Sequence, residues 1–133
     1  MSQNKISRRE ALAAIGAAGT AFAFGCGSDS PTAPTGDGPI GATITITASG
    51  VSPKSVTVSP GSRVTFTNND SIAHDMNSDP HPEHTDCPEI NDVGTLNPGQ
   101  SRQTGNMNTV RTCGYHDHNQ DTVVSLQGTI TIQ

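Results

Sequence analysis

The sequence predicts an all-β domain, a sandwich or barrel of short strands, and three observations support this. Residues 42–47 alternate apolar and polar side chains with a period of two, as in a strand with one buried face. Turn-forming segments such as 59–61 (Ser-Pro-Gly) and 96–99 (Leu-Asn-Pro-Gly) separate the candidate strands. The domain also lacks the apolar stripe of an amphipathic helix. Several short strands separated by turns are typical of β-sandwiches and β-barrels.

Other segments add strands to this prediction. They share short length and β-favouring residues, and lie at 55–58, 63–67, 100–104, 110–113 and 128–133. Residues 75–92 show no clear period and contain three prolines. We expect a long loop there, with room for a short helix.

The N-terminal 25 residues predict export. Residues 7–12 (Ser-Arg-Arg-Glu-Ala-Leu) resemble a twin-arginine signal, and residues 11–24 form an uncharged run that is short for a membrane span. Cys26 follows in a position that resembles a bacterial lipoprotein processing site, where the cysteine becomes lipidated. Plain cleavage nearby is the alternative. The sequence thus predicts an exported protein on the periplasmic or cell-envelope face, attached to the membrane by a lipid at Cys26.

A flexible linker is predicted at residues 26–39, because this stretch is rich in Gly, Ser, Pro and Thr and poor in apolar side chains. The folded domain is then residues 40–133. Phe66 and Tyr115 are its only aromatic residues, so Val, Ile and Leu must supply most of its core.

The charge of the chain limits its partners. From Cys26 onward, four Lys and Arg face eleven Asp and Glu, a net charge of −7. Nucleic-acid binding requires a basic surface, so the composition disfavours that class. An acidic surface suits a basic partner protein, although it is also common as a merely solvated surface.

The chemically most informative segment is residues 112–118 (Thr-Cys-Gly-Tyr-His-Asp-His). A thiol at Cys113 and an imidazole at His116 lie three residues apart, and His74 lies far upstream. One thiolate with two imidazoles is a ligand set that suits copper in an electron-transfer site.

Five segments together resemble the plastocyanin/azurin-type cupredoxins, the blue copper proteins. They are residues 51–61, residues 64–70 with His74, residues 96–101, the Cys113-x-x-His116 motif and residues 128–132. The resemblance implies a Greek-key β-sandwich that binds copper through His74, Cys113 and His116. It further implies a carrier of single electrons between redox partner proteins, which is not itself an enzyme.

The axial position departs from this family, which usually has a Met four or five residues after the second His. Counting forward from His116 reaches Gln120 or Asp121, and counting back from Gly128 reaches Leu126. We expect Leu126 at the axial position, with Gln120 as an alternative weak ligand.

A second group of candidate ligands lies in the predicted loop. His81, His84 and Cys87 form a His-x-x-His-x-x-Cys pattern, and His118 follows His116 by two residues. These residues predict either a second copper site or exposed loop histidines, and His118 has a third possible role as a pH switch. The extra ligands favour an alternative function in copper storage, delivery or sensing.

Cys87 competes for the thiol of the predicted copper site. Two cysteines in an exported domain most simply form a disulfide, and a Cys87–Cys113 bond would consume the thiolate. The other possibilities are that Cys87 is a free thiol, a second copper ligand, or bonded to Cys113 only without metal. A disulfide-stapled interaction domain without metal is therefore a third function. No Gly-x-Ser-x-Gly motif or phosphate-binding glycine loop predicts an enzyme.

Overall fold

The computed structural model describes residues 37–133, and the regular secondary structure of this part of the chain is β-strand apart from three short 3-10 helices. Nine strands follow one another: β1 Ile40–Thr47, β2 Gly50–Ser52, β3 Ser55–Val58, β4 Arg63–Asn68, β5 His74–Ser78, β6 Gly94–Leu96, β7 Ser101–Gln103, β8 Arg111–Asp117 and β9 Gly128–Ile132. Short 3-10 helices span Pro88–Asp92, His118–Gln120 and Val124–Leu126. The all-β prediction is confirmed.

The strands form two sheets. The first has the order β2-β1-β4-β7, and the second has the order β3-β9-β8-β5-β6. β1 pairs with β4 and β3 pairs with β9 in parallel, while the other pairs are antiparallel. β5 and β8 lie side by side in the second sheet although 32 residues, 79–110, separate them in the sequence.

The core contains the two aromatic side chains of the domain. Phe66 of β4 and Tyr115 of β8 meet edge to face, with ring centroids 5.1 Å apart. Both are fully buried among aliphatic side chains such as Ile44, Val64 and Ile130. This contact joins the two sheets through β8, the strand that also carries His116.

Four strands differ from the expectation. β2 and β6 lie where no strand is predicted, β5 overlaps the start of the predicted loop at 75–92, and β8 continues to Asp117 where a ligand loop is expected. His74 and Ser78 of β5 face inward and are buried. Asp117, at the end of β8, also faces inward and is buried. Polar residues on the buried face remove the apolar alternation by which a strand is recognised.

Several N-terminal predictions lie outside the described residues: the export signal at 1–25, lipidation of Cys26 and most of the linker at 26–39. Within residues 37–133, no helix is long and apolar enough to cross a membrane.

Candidate metal centre

Successive side chains of β8 point to opposite faces of the sheet, and this determines which of them can bind the same metal ion. Cys113, Tyr115 and Asp117 face the core, whereas Gly114 and His116 face away from it, as expected for a strand with a period of two. A spacing of three residues on a strand therefore places Cys113 and His116 on opposite faces of the sheet.

Cys113 forms a disulfide with Cys87, and both residues are fully buried. While this bond is present, the Cys113 sulfur is not available as a thiolate, so the predicted set of His74, Cys113 and His116 stays a prediction that requires the disulfide to be reduced. The same holds for Cys87 as a second copper ligand. The bond is the one expected both for a structural disulfide and for cysteines that pair only without metal.

His74 lies on the core side and is held by two carboxylates. Its Nδ1 lies 2.7 Å from Oδ2 of Asp117, and its Nε2 lies 3.2 Å from Oδ2 of Asp70. Gln120 and Leu126, the candidate axial residues, line a cavity of about 150 Å³ together with His74. The predicted first ligand and axial positions thus share one cavity, but both ring nitrogens of His74 already have carboxylate partners.

A cluster of four histidines lies on the other side of β8. Its members are His81, His84, His116 and His118, and one nitrogen of each lies within 4.8 Å of the others. In five of the six pairs of rings, the centroids are separated by 4.8 to 5.6 Å. Among residues 37–133 this is the only group of three or more His, Cys, Asp or Glu side chains with such spacing. We call it the histidine cluster.

The segment 79–87 supplies two members of the histidine cluster. The N–H of His84 donates to the carbonyl of Pro80 at 2.7 Å, which closes a five-residue turn. The rings of His81 and His84 lie close together on this turn, with their centroids 5.6 Å apart. The N–H of Asp86 donates to the carbonyl of Asp79 and closes the base of the loop at 2.8 Å.

The loop base is fastened to β8. The N–H of Asp79 donates to the carbonyl of Gly114, and the N–H of Gly114 donates to Oδ2 of Asp86 at 3.1 Å. The disulfide from Cys87 to Cys113 joins the same two segments. These bonds hold the loop histidines over the part of β8 that presents His116.

His116 is oriented by a carboxylate and carries an unused nitrogen. Its Nδ1 lies 2.6 Å from Oδ1 of Asp79, so in the neutral ring Nδ1 donates and Nε2 is left as an acceptor. This Nε2 is buried and has no hydrogen-bond partner in the described part of the chain. An unpaired buried polar atom is costly, and a metal ion would satisfy it.

The fold is similar to that of several solved structures. A purple cupredoxin from Nitrosopumilus maritimus is similar at 22% identity and TM-score 0.52, covering 69% of this chain and 99% of that one. The plastocyanin of Dryopteris crassirhizoma is similar at 21% identity and TM-score 0.53, covering 68% and 99%. The chain has the cupredoxin fold. No family model matches the sequence, and neither does any curated protein.

Another cupredoxin-fold structure, auracyanin from Roseiflexus castenholzii, is similar at 15% identity and TM-score 0.53, covering 72% of this chain and 98% of that one. Identities this low establish the fold and not the ligands. In this cupredoxin fold the histidine cluster, and not the set of His74, Cys113 and His116, brings potential metal ligands together.

The donor set and spacing of the histidine cluster fit a metal ion. Imidazole suits copper and zinc. Two nitrogens on bonds of 2.0–2.1 Å in a tetrahedral site lie about 3.3 Å apart, and Nδ1 of His118 lies 3.2 Å from Nε2 of His84. Burial lowers the pKa of His84, and the neighbouring rings of His116, His118 and His81 lower it further. A lower pKa favours the neutral ring, which is the form that binds a metal.

Sequence signals for the histidine cluster were present. His116 and His118 are two residues apart, which places them on one face where a strand passes into the next turn. His81 and His84 are three apart within a turn-forming stretch. The sequence groups His81, His84 and His118 as candidate additional ligands and assigns His116 to the set with Cys113. The pairing of β5 with β8 brings all four histidines together.

Gly114→Ala is expected to disturb the tautomer of His116 without unfolding the domain. A Cβ at this position would clash with Oδ2 of Asp79, so the carboxylate must leave His116. The side chain of Asp79 is 48% exposed and can turn toward solvent. Nitrogen NMR of the imidazole should show one tautomer in the wild type and a mixture in the variant.

Thr112→Ala is the matched control, because Thr112 precedes Gly114 on the same outward face of β8 and is exposed. Its hydroxyl contacts only the hydroxyl of Thr131 among the hydrogen bonds described. An unchanged His116 spectrum in Gly114→Ala would contradict the positioning role of Asp79.

Proposed function

We propose that this protein binds one copper ion at the histidine cluster and serves in holding or delivering the metal outside the cytoplasm. The observation that carries the proposal is the buried, unpartnered Nε2 of His116 beside three further imidazoles. When bound, copper would be held by the ring nitrogens of His81, His84, His116 and His118. The absence of a free thiolate in the described domain separates this set from an electron-transfer site of the Cys/His/His type.

Copper is favoured over other metals for two reasons. Among divalent first-row ions, a site of nitrogen donors generally binds Cu²⁺ most tightly. The fold is also that of copper proteins, and a similar structure of an amicyanin variant contains Cu(I). Zinc is the competing ion, because it also accepts four imidazoles in a tetrahedral site.

Titration with Cu²⁺ tests the proposal. We expect one tightly bound ion per chain, and an electron paramagnetic resonance spectrum with coupling to imidazole nitrogens. The visible absorption should be weak, because no thiolate donates charge to the metal. An intense visible band, or no binding when zinc is absent, would contradict the proposal. Zinc should compete for the same single site.

The second candidate is a single-electron carrier that serves redox partner proteins, and the similarity of the fold to plastocyanin and auracyanin favours it. This function would require the Cys113 thiolate together with His74 and His116, hence reduction of the disulfide and a change in β8. An intense charge-transfer band that appears only after thiol reduction and copper addition would support it. Tethering to a membrane through Cys26 is compatible with both functions.

A further inference from the structure

Resting on the proposed function, we propose that the carboxylates around the histidine cluster make the site selective for a divalent cation, so that copper is held as Cu(II). Asp79 is the main positioning and charge-supplying residue. Four neutral imidazoles alone would accept Cu(I) or Cu(II), because imidazole is a ligand for both. The preference for Cu(II) over Cu(I) therefore depends on the carboxylates next to the imidazole rings.

Two carboxylates lie beside different members of the histidine cluster. Oδ1 of Asp79 lies 2.6 Å from Nδ1 of His116. Oδ2 of Asp121 lies 3.9 Å from Nε2 of His81. The cluster thus has negative charge on more than one side.

The basic side chains of residues 37–133 are either paired with other groups or lie on the other sheet. Arg63 pairs with Asp37, and Arg111 pairs with Glu89. Nζ of Lys54 donates to the carbonyl of Val124. Arg102 lies on β7, at the edge of the other sheet. In this range no cationic side chain offsets the carboxylates beside the histidine cluster, so a bound cation would supply the missing positive charge.

Coulomb's law gives the direction of the selectivity. The attraction of a carboxylate for a dication is twice that for a monocation at the same distance and dielectric constant. A carboxylate bonded to the far nitrogen of a ligating histidine also makes that ring a stronger donor. Both effects favour Cu(II) over Cu(I). The hydrogen bond from Nδ1 of His116 to Asp79 makes the His116 ring the stronger donor.

Asp79→Asn removes the negative charge of Asp79 but can keep the orientation of the His116 ring, because the amide oxygen can still accept the hydrogen bond from Nδ1 of His116. We expect Cu(II) affinity to fall by about 10-fold or more, within the range seen when outer partners of metal ligands are altered. Affinity for Cu(I), or for Ag(I) as a monovalent probe, should fall much less. For each factor of ten by which Cu(II) affinity falls more than Cu(I) affinity, the reduction potential of bound copper rises by about 59 mV.

Asp37→Asn is the matched control, because it removes one acidic charge that pairs with Arg63 of the other sheet. Its copper affinities should match those of the wild type in both oxidation states. If Asp79→Asn lowers Cu(I) and Cu(II) affinity by the same factor, the carboxylate only orients His116 and the inference is overturned. If instead the wild-type protein binds no copper at all, the proposed function itself fails.

Discussion

The double variant Cys87→Ala/Cys113→Ala should unfold with a free energy about 3.5 kcal/mol below that of the wild type and should still bind one copper ion. The cross-link joins residues 26 apart, and closing a loop of that length restricts the unfolded chain by about this amount. Copper remains because the histidine cluster contains no sulfur. Denaturant unfolding and copper titration measure the two effects.

The measurement is cleanest when every protein carries Cys26→Ser, which leaves Cys87 and Cys113 as the only cysteines. Some loss of copper affinity is expected in the double variant, because the disulfide helps to hold segment 79–87 against β8. Complete loss of copper binding from a variant that remains folded would favour a thiolate ligand. Thiol labelling of the unfolded wild type without reductant should find neither cysteine free.

Removing one imidazole from the histidine cluster should cost the most in metal affinity. His84→Ala and His118→Ala are each expected to weaken Cu²⁺ binding on the order of 100-fold or more, since even outer partners of metal ligands are worth 10- to 100-fold. The two nitrogens that these variants remove face each other at 3.2 Å. Copper titration by calorimetry against a competing chelator measures the change.

His74→Gln is the control that distinguishes the two ligand sets. His74 is an imidazole outside the histidine cluster, held by Asp70 and Asp117. Its replacement should lower the stability of the domain but leave copper affinity within a few-fold of wild type. A large loss of copper affinity in His74→Gln, with none in His84→Ala, would support the cupredoxin-like set instead.

Strands with an apolar buried face were predictable along the chain. β1, β3, β4 and β9 fall where alternation placed them, because Ile, Val and Phe face the core and Thr or Ser faces out. β5 was missed, since His74 and Ser78 point inward and find polar partners there. Alternation detects the burial of apolar groups and not of paired polar groups.

The family resemblance led to the right fold and to a ligand set that the structure does not assemble. The motif Cys113-x-x-His116 was interpreted as part of a loop, where both side chains could turn toward one ion. In the structure it lies within β8, and the two residues face opposite sides. The choice between loop and strand depends on pairing with β5 and β9, which are distant in sequence.

The amino-acid sequence was sufficient to indicate an all-β domain, a concentration of metal-binding side chains and the competition of Cys87 for Cys113. Local alternation, residue chemistry and cysteine count carry that information within short stretches. Which histidines meet was decided by tertiary structure. Strand pairing brings segment 79–87 over β8, and the disulfide removes the thiol from the available ligands. Both depend on contacts between residues far apart in the chain, which no local pattern encodes.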